Sequence, residues 1–95
     1  MKISRKAEAE IPEFNSHETA REYFKNKYGN HFMMTGSEFI DDQKVYFYSL
    51  ILDRKTFEDG HEQMAKDGFM ADALNFMNSY QPIEIFEDGR IHIIH

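Results

Sequence analysis

Val45-Tyr46-Phe47-Tyr48-Ser49-Leu50-Ile51-Leu52 is apolar on both of its faces when read as an extended strand. Successive side chains of a strand point to opposite sides, so Val45, Phe47, Ser49 and Ile51 face one way and Tyr46, Tyr48, Leu50 and Leu52 the other. A strand of this kind belongs inside a sheet, with neighbours on both edges and apolar contact on both faces. Just upstream, residues 31–40 (HFMMTGSEFI) read as a second strand whose Gly36 predicts a bulge. Asp41-Asp42-Gln43 supplies the turn between them, so the two strands form a hairpin.

The flanking segments are read from the same centre. Asn15 and Glu18 have capping-box spacing, Ala20, Phe24 and Tyr28 recur at i, i+4 and i+8 beside Tyr23, and Gly29 supplies a stop, which predicts a helix over 16–28. Residues 3–11 alternate apolar or small with charged side chains and predict an edge strand that Pro12 ends. Downstream, Asp53 or Thr56 caps a helix over 54–66 that carries Phe57 and Met64 and ends near Gly68. Its Gly60 costs roughly 1 kcal/mol relative to Ala. Phe69, Ala73, Phe76 and Tyr80, with Met70, Leu74 and Met77 adjoining, predict a second helix with a wide apolar face, closed by Pro82. Residues 83–86 and 91–94 flank Glu87-Asp88-Gly89-Arg90 as a last hairpin.

The order is (β)αββααββ. It predicts an α+β protein, with an antiparallel sheet of four or five strands and helices packed mainly on one face. Phe24-Lys25-Asn26-Lys27-Tyr28 and Phe76-Met77-Asn78-Ser79-Tyr80 repeat F-x-N-x-Y, each ahead of a hairpin, which is the pattern of a duplicated αββ unit. In outline the order resembles small acidic αββ domains of bacteria and phages, a likeness of architecture that transfers no residue.

Ninety-five residues with 41% hydrophobic and 15% aromatic content support a single domain over 1–95. The chain has no cysteine, so cohesion is expected from packing of its nine Phe, five Tyr and six Met, and a reducing cytoplasm fits. No apolar run approaches the ~20 residues of a membrane span, and the first dozen residues (MKISRKAEAEIP) do not read as a secretory leader. A cytoplasmic location is therefore expected.

Charge is unevenly spread. The net charge of −6 arises from residues 56–95, where Lys66 and Arg90 stand against eight acidic residues. This balance opposes duplex nucleic acid and anionic membrane as partners, since both draw affinity from Lys and Arg. Glu58, Asp59, Glu62, Asp67 and Asp72 form a candidate acidic face, either a solvated surface or a phosphate mimic that occupies a basic protein.

The chemistry-bearing residues form no recognisable motif. His17, His31, His61, His92 and His95 lack ligand spacing, and His92 and His95, three apart on a strand, face opposite ways, so no metal is expected. The carboxylate pairs Asp41-Asp42, Glu58-Asp59 and Glu87-Asp88 fall at turns or helix starts, where they serve local backbone bonds. Lys55 and Phe57 spoil a calcium loop, and the five isolated glycines make neither a phosphate loop nor a dinucleotide fingerprint. No cofactor and no catalytic residue is expected, although an active site assembled from distant segments leaves no local motif.

What remains is an aromatic sheet face. With Phe47, Ile51, Ile83, Ile85, Ile91 and Ile93 assigned beneath the helices, the opposite face holds Tyr46, Tyr48, Leu50, Phe86, His92 and Ile94. That face is the candidate interaction surface of a non-enzymatic module, with a symmetric homodimer or another protein as partner. A single-stranded nucleic acid stacked on the strand aromatics is the alternative, opposed by the scarcity of nearby cations.

Overall fold

The computed structural model describes residues 2–95. The chain is an α+β protein with helices α1 (Arg5–Ala9), α2 (His17–Tyr28), α3 (Arg54–Asp67) and α4 (Ala73–Met77) and strands β1 (Phe32–Ile40), β2 (Gln43–Ile51), β3 (Tyr80–Phe86) and β4 (Ile91–Ile93). The strands form one antiparallel sheet in the order β1-β2-β3-β4, so the doubly apolar β2 is central, as its pattern requires. Among the described residues, no helix is long and apolar enough to cross a membrane.

Most local signals act as read. Asp53 caps α3 by accepting from Thr56 N–H, and Gly68 closes it in the left-handed conformation at φ 76°. The register of β1 on β2 shifts between Met34 and Gly36, which is the predicted bulge. Asp41 and Asp42 both have positive φ (50° and 64°), a two-residue hairpin turn whose twist matches the strands.

Three local expectations are corrected. Residues 3–11 are not a strand: Ser4 accepts from Ala7 N–H and caps α1, in keeping with the helix preference of Ala, Lys and Glu. The cap of α2 is Ser16 rather than Asn15, one residue later, with its hydroxyl taking Thr19 N–H. The second downstream helix shrinks to Ala73–Met77, leaving Phe69, Leu74 and Met77 exposed, because Tyr80 and Pro82 belong to β3. Pro82 is tolerated there because its backbone turns toward the end of β4: its carbonyl accepts Ile94 N–H, and the Ile94 carbonyl, which a backbone N–H at 82 would serve, takes the Gln81 side-chain amide instead (3.3 Å).

The principal core lies between α1, α2 and one face of the sheet, and joins Ala20, Phe24, Phe32, Tyr48, Leu50, Ile83, Ile85 and Ile93. Tyr48 pairs with Ile83 and Tyr46 with Ile85, so these tyrosines share the covered face with the isoleucines. The sequence-based face assignment is thereby inverted for β2, while Ile83, Ile85, Ile91 and Ile93 lie in the covered core as expected. Phe47 and Ile51 lie on the other face, which α3 and α4 reach through Phe57 and Phe76. The N-terminus is held by Gln81, a buried amide that accepts from Ile3 N–H (2.8 Å) and donates to the carbonyls of Ile3 (3.0 Å) and Ile94 (3.3 Å).

Gly60 has a packing role that its helix penalty conceals. A Cβ there would collide with the Phe76 ring, so the bare backbone is the seat on which α4 rests. Helix propensity alone predicts that Gly60→Ala stabilises by about 1 kcal/mol. The packing predicts instead that Gly60→Ala destabilises the wild type and stabilises a Phe76→Ala background, a coupling measurable by urea unfolding of the four proteins. Additive effects would show that Phe76 does not rest on Gly60.

Candidate functional site

The six residues expected to form one surface do not share a face. Tyr48 and Leu50 are buried and Tyr46 is half-buried, all under α2. The first turn of α2 places His17 against both tyrosines: its ring stacks on Tyr46 with centroids 3.5 Å apart and planes 9° off parallel, and its Nε2 lies 2.7 Å from the Tyr48 hydroxyl. His17 Nδ1 faces the Glu18 carboxylate at 3.6 Å, which favours the proton on Nδ1 and makes the Tyr48 O–H the donor to Nε2. Burial pushes the His17 pKa down, opposed by the Glu18 charge, and burial pushes the Tyr48 hydroxyl up, opposed by the Arg21 charge. This arrangement is an internal brace.

Phe86 and His92 occupy the opposite face. Phe86 is half-buried beneath the Arg90 guanidinium at 4.7 Å, and the exposed His92 is hydrogen-bonded through Nδ1 to Glu84 (2.8 Å). Ile94 lies beyond the end of β4, beside Leu74 and Met77. On this second face a groove of about 290 Å³ opens between the sheet and the helices, walled by Phe47, Phe57, His61, Phe76, Tyr80 and Pro82. Phe57 stacks on Phe76 (5.7 Å) and meets Tyr80 edge-on (5.4 Å), so the walls are rings already packed on one another. The groove offers apolar contact, and at its rim Glu84 and His92 are satisfied by each other.

A further concavity, of about 500 Å³, runs between residues 8–14 and the last hairpin turn. Two of its charged groups are committed, Glu8 to His95 (2.6 Å) and Arg90 to Asp88 (2.9 Å), and the third, Glu13, is exposed. The acidic residues are all exposed, yet Glu58 pairs with Arg54, Asp59 with Lys55, and Asp72 caps α4, which leaves Glu62 and Asp67 as the part of that face not used locally. Among the described residues, no group of three or more His, Asp or Glu is placed to hold a metal ion.

Sequence reasoning placed the outer strand but missed its exposed apolar side chains. β1 exposes Met33, Met34, Phe39 and Ile40, and Phe39 is 74% exposed. A second groove, about 300 Å³, lies beside it, lined by Arg21, Lys25, Asn30, Phe32, Met34 and Tyr48. The signal was available in HFMMTGSEFI, a strand with no cation and no proline to protect an edge. The His17 brace had no local signal, since its partner Tyr48 is 31 residues away. No known protein family, curated protein or solved structure matches the chain.

The His17 brace gives stability a pH dependence of fixed sign. The pKa of His17 is depressed in the fold, so the unfolded chain takes the proton first. The contribution of neutral His17 is present above its ordinary value of 6.5 and is lost as pH falls below it toward the folded-state value. Protonation also turns Nε2 into a donor and forces the Tyr48 hydroxyl to reverse. Urea unfolding at pH 7.5 and 5.5 is expected to show a larger acid loss in the wild type than in His17→Gln. Equal losses in the two proteins would remove His17 from the account.

Proposed function

We propose that this chain is a non-enzymatic protein-interaction module that associates with a second copy of itself. The observation that carries this reading is the concentration of exposed apolar side chains on β1, where Met33, Met34, Phe39 and Ile40 stand on a strand that has a neighbour on one side only. Exposed apolar side chains gathered on one edge strand cost free energy in water, and burial between proteins relieves that cost, most simply in a two-fold pair. Stacking of single-stranded nucleic acid is disfavoured because Tyr46 and Tyr48 lie under α2, and the cations near exposed aromatics, Lys44 and Arg90, are already held over rings. A phosphate-mimicking role for residues 58–72 is weakened by the Arg54 and Lys55 ion pairs that neutralise part of that surface.

Light scattering or sedimentation equilibrium at tens of micromolar is expected to give twice the chain mass of 11.3 kDa. A mass of one chain throughout that range would overturn the reading.

A further inference from the structure

We propose that β1 is the seam of this dimer: two copies pair β1 against β1 in antiparallel, Thr35 opposite Gly36, and each Phe39 enters the groove between α2 and β1 of the other copy. This rests on the self-association proposed above and names where and in what register it occurs.

The two edges of the sheet are unequal. Among the described residues neither edge has an outer neighbour, but β4 offers three residues and β1 nine. Lysine and proline are common edge blockers, and β1 has neither; its one charge is Glu38.

The backbone phase of β1 selects the register. Ile40 and Gln43 close a two-residue turn and so form a hydrogen-bonded pair, which directs Ile40 and Glu38 toward β2 and turns Ser37 and Phe39 outward. Across the bulge the phase shifts by one, because the extra residue Thr35 leaves Met34 paired with Tyr48 and Gly36 with Phe47. Met34 and Phe32 then turn outward as well. The Phe32 carbonyl accepts Lys25 Nζ at 3.3 Å and its N–H bonds Gly29, neither directed at β2.

A two-fold pair must set outward residue against outward residue and same face against same face. Along the whole strand this is met when Phe32 faces Phe39, Met33 faces Glu38 and Met34 faces Ser37, with the two bulges opposite each other. A slide of two residues sets each bulge against regular strand and loses half of the pairing.

The side chains fit this register. Opposite Phe32, the exposed Phe39 stands at the mouth of the 300 Å³ groove lined by Phe32, Met34 and the cations Arg21 and Lys25. Among the described residues neither cation has a carboxylate within salt-bridge distance, which leaves both able to rest on an aromatic face. Glu38, opposite Met33, falls on the α3 side of the sheet, where Arg54 reaches back to the Asn30 carbonyl at 2.7 Å. The strand's one acid thus approaches a cation, not its own symmetry mate.

The test uses the absence of cysteine from the chain. Met33→Cys/Glu38→Cys places two thiols roughly 17 Å apart along one strand, too far to join within a chain, but directly opposite across the seam. Mild oxidation is expected to give a covalent dimer, while Met33→Cys/Ser37→Cys, with its thiols on opposite faces, stays uncross-linked. Phe39→Lys is expected to weaken association about tenfold or more with an unchanged circular dichroism spectrum, since Phe39 is exposed in the single chain. Phe86→Glu, on the face away from α2, is expected to leave association intact. A wild-type dimer that survives Phe39→Lys and gives no Met33–Glu38 cross-link overturns the seam and leaves self-association standing. A dimer lost with Phe86→Glu alone does the same, and a monomeric wild type overturns both.

Discussion

When β2 lies against β3 with Tyr48 opposite Ile83, a phenol oxygen is carried under α2 together with the isoleucines, and it needs a polar partner there. A hydroxyl buried without one costs about 1–3 kcal/mol. His17 supplies the bond from the first turn of α2, and its ring covers Tyr46 at the same time. This requirement fixes more than one contact, because α2 must arrive with its N-terminal end over the tyrosines. Ala20 and Phe24, one and two turns further along, are then delivered over the centre of the sheet. The register of the central strands therefore decides both what is inside and how the covering helix is oriented.

The junctions of the chain serve the same placement. Glu87, at the start of the last turn, donates its N–H to the Lys44 carbonyl and accepts His17 N–H on its own carbonyl, so one residue joins β2, the β3-β4 turn and α2. Gly89 in that turn, at φ 96°, presses against the backbone of Phe14 and Ser16, where any Cβ would collide. Gln81 performs a related task at the other end of β3. Its side-chain amide meets Ile3 as a strand backbone would, accepting the N–H and donating to the carbonyl, so a non-strand N-terminus is fixed on the sheet without extending it.

The fold class, the central place of β2, the bulge at Gly36, the Asp53 cap and the Gly68 stop were legible because each depends on residues within a few positions of one another. The facing of β2 was not. Periodicity separates Tyr46, Tyr48 and Leu50 from Phe47 and Ile51, but which set goes inward depends on the pairing with β3, whose partners lie about thirty to forty residues downstream, and a one-residue change of register exchanges the faces. The length of α4 was misread for a related reason. Helical spacing through Phe76 and Tyr80 is real, yet Tyr80 is drawn into β3 opposite Ile51, and a strand partner outweighs a weak local helix preference. Of the six surface residues named from sequence, Phe86 and His92 lie together on the face away from α2, while the exposure of β1 follows from its place at the sheet edge, which its own period does not encode.

An unequal pair of edges gives direction to whatever this sheet does. α1 and α2 fill one face, α3 and α4 close one end of the other, and the N-terminus with Gln81 occupies the β4 side. The two edges thus differ in what they offer a further strand, three residues on β4 and nine on β1, where Phe32 is already bonded to Gly29 and Lys25. The bulge at Thr35 and Gly36 is usually a defence, since it twists an edge away from regular strands. It excludes a regular strand as partner but not a strand bearing the same bulge in opposite direction, and the one chain certain to carry that feature is another copy. In the proposed self-pairing, the irregularity that sets β1 apart from regular strands is the feature that a second copy would match.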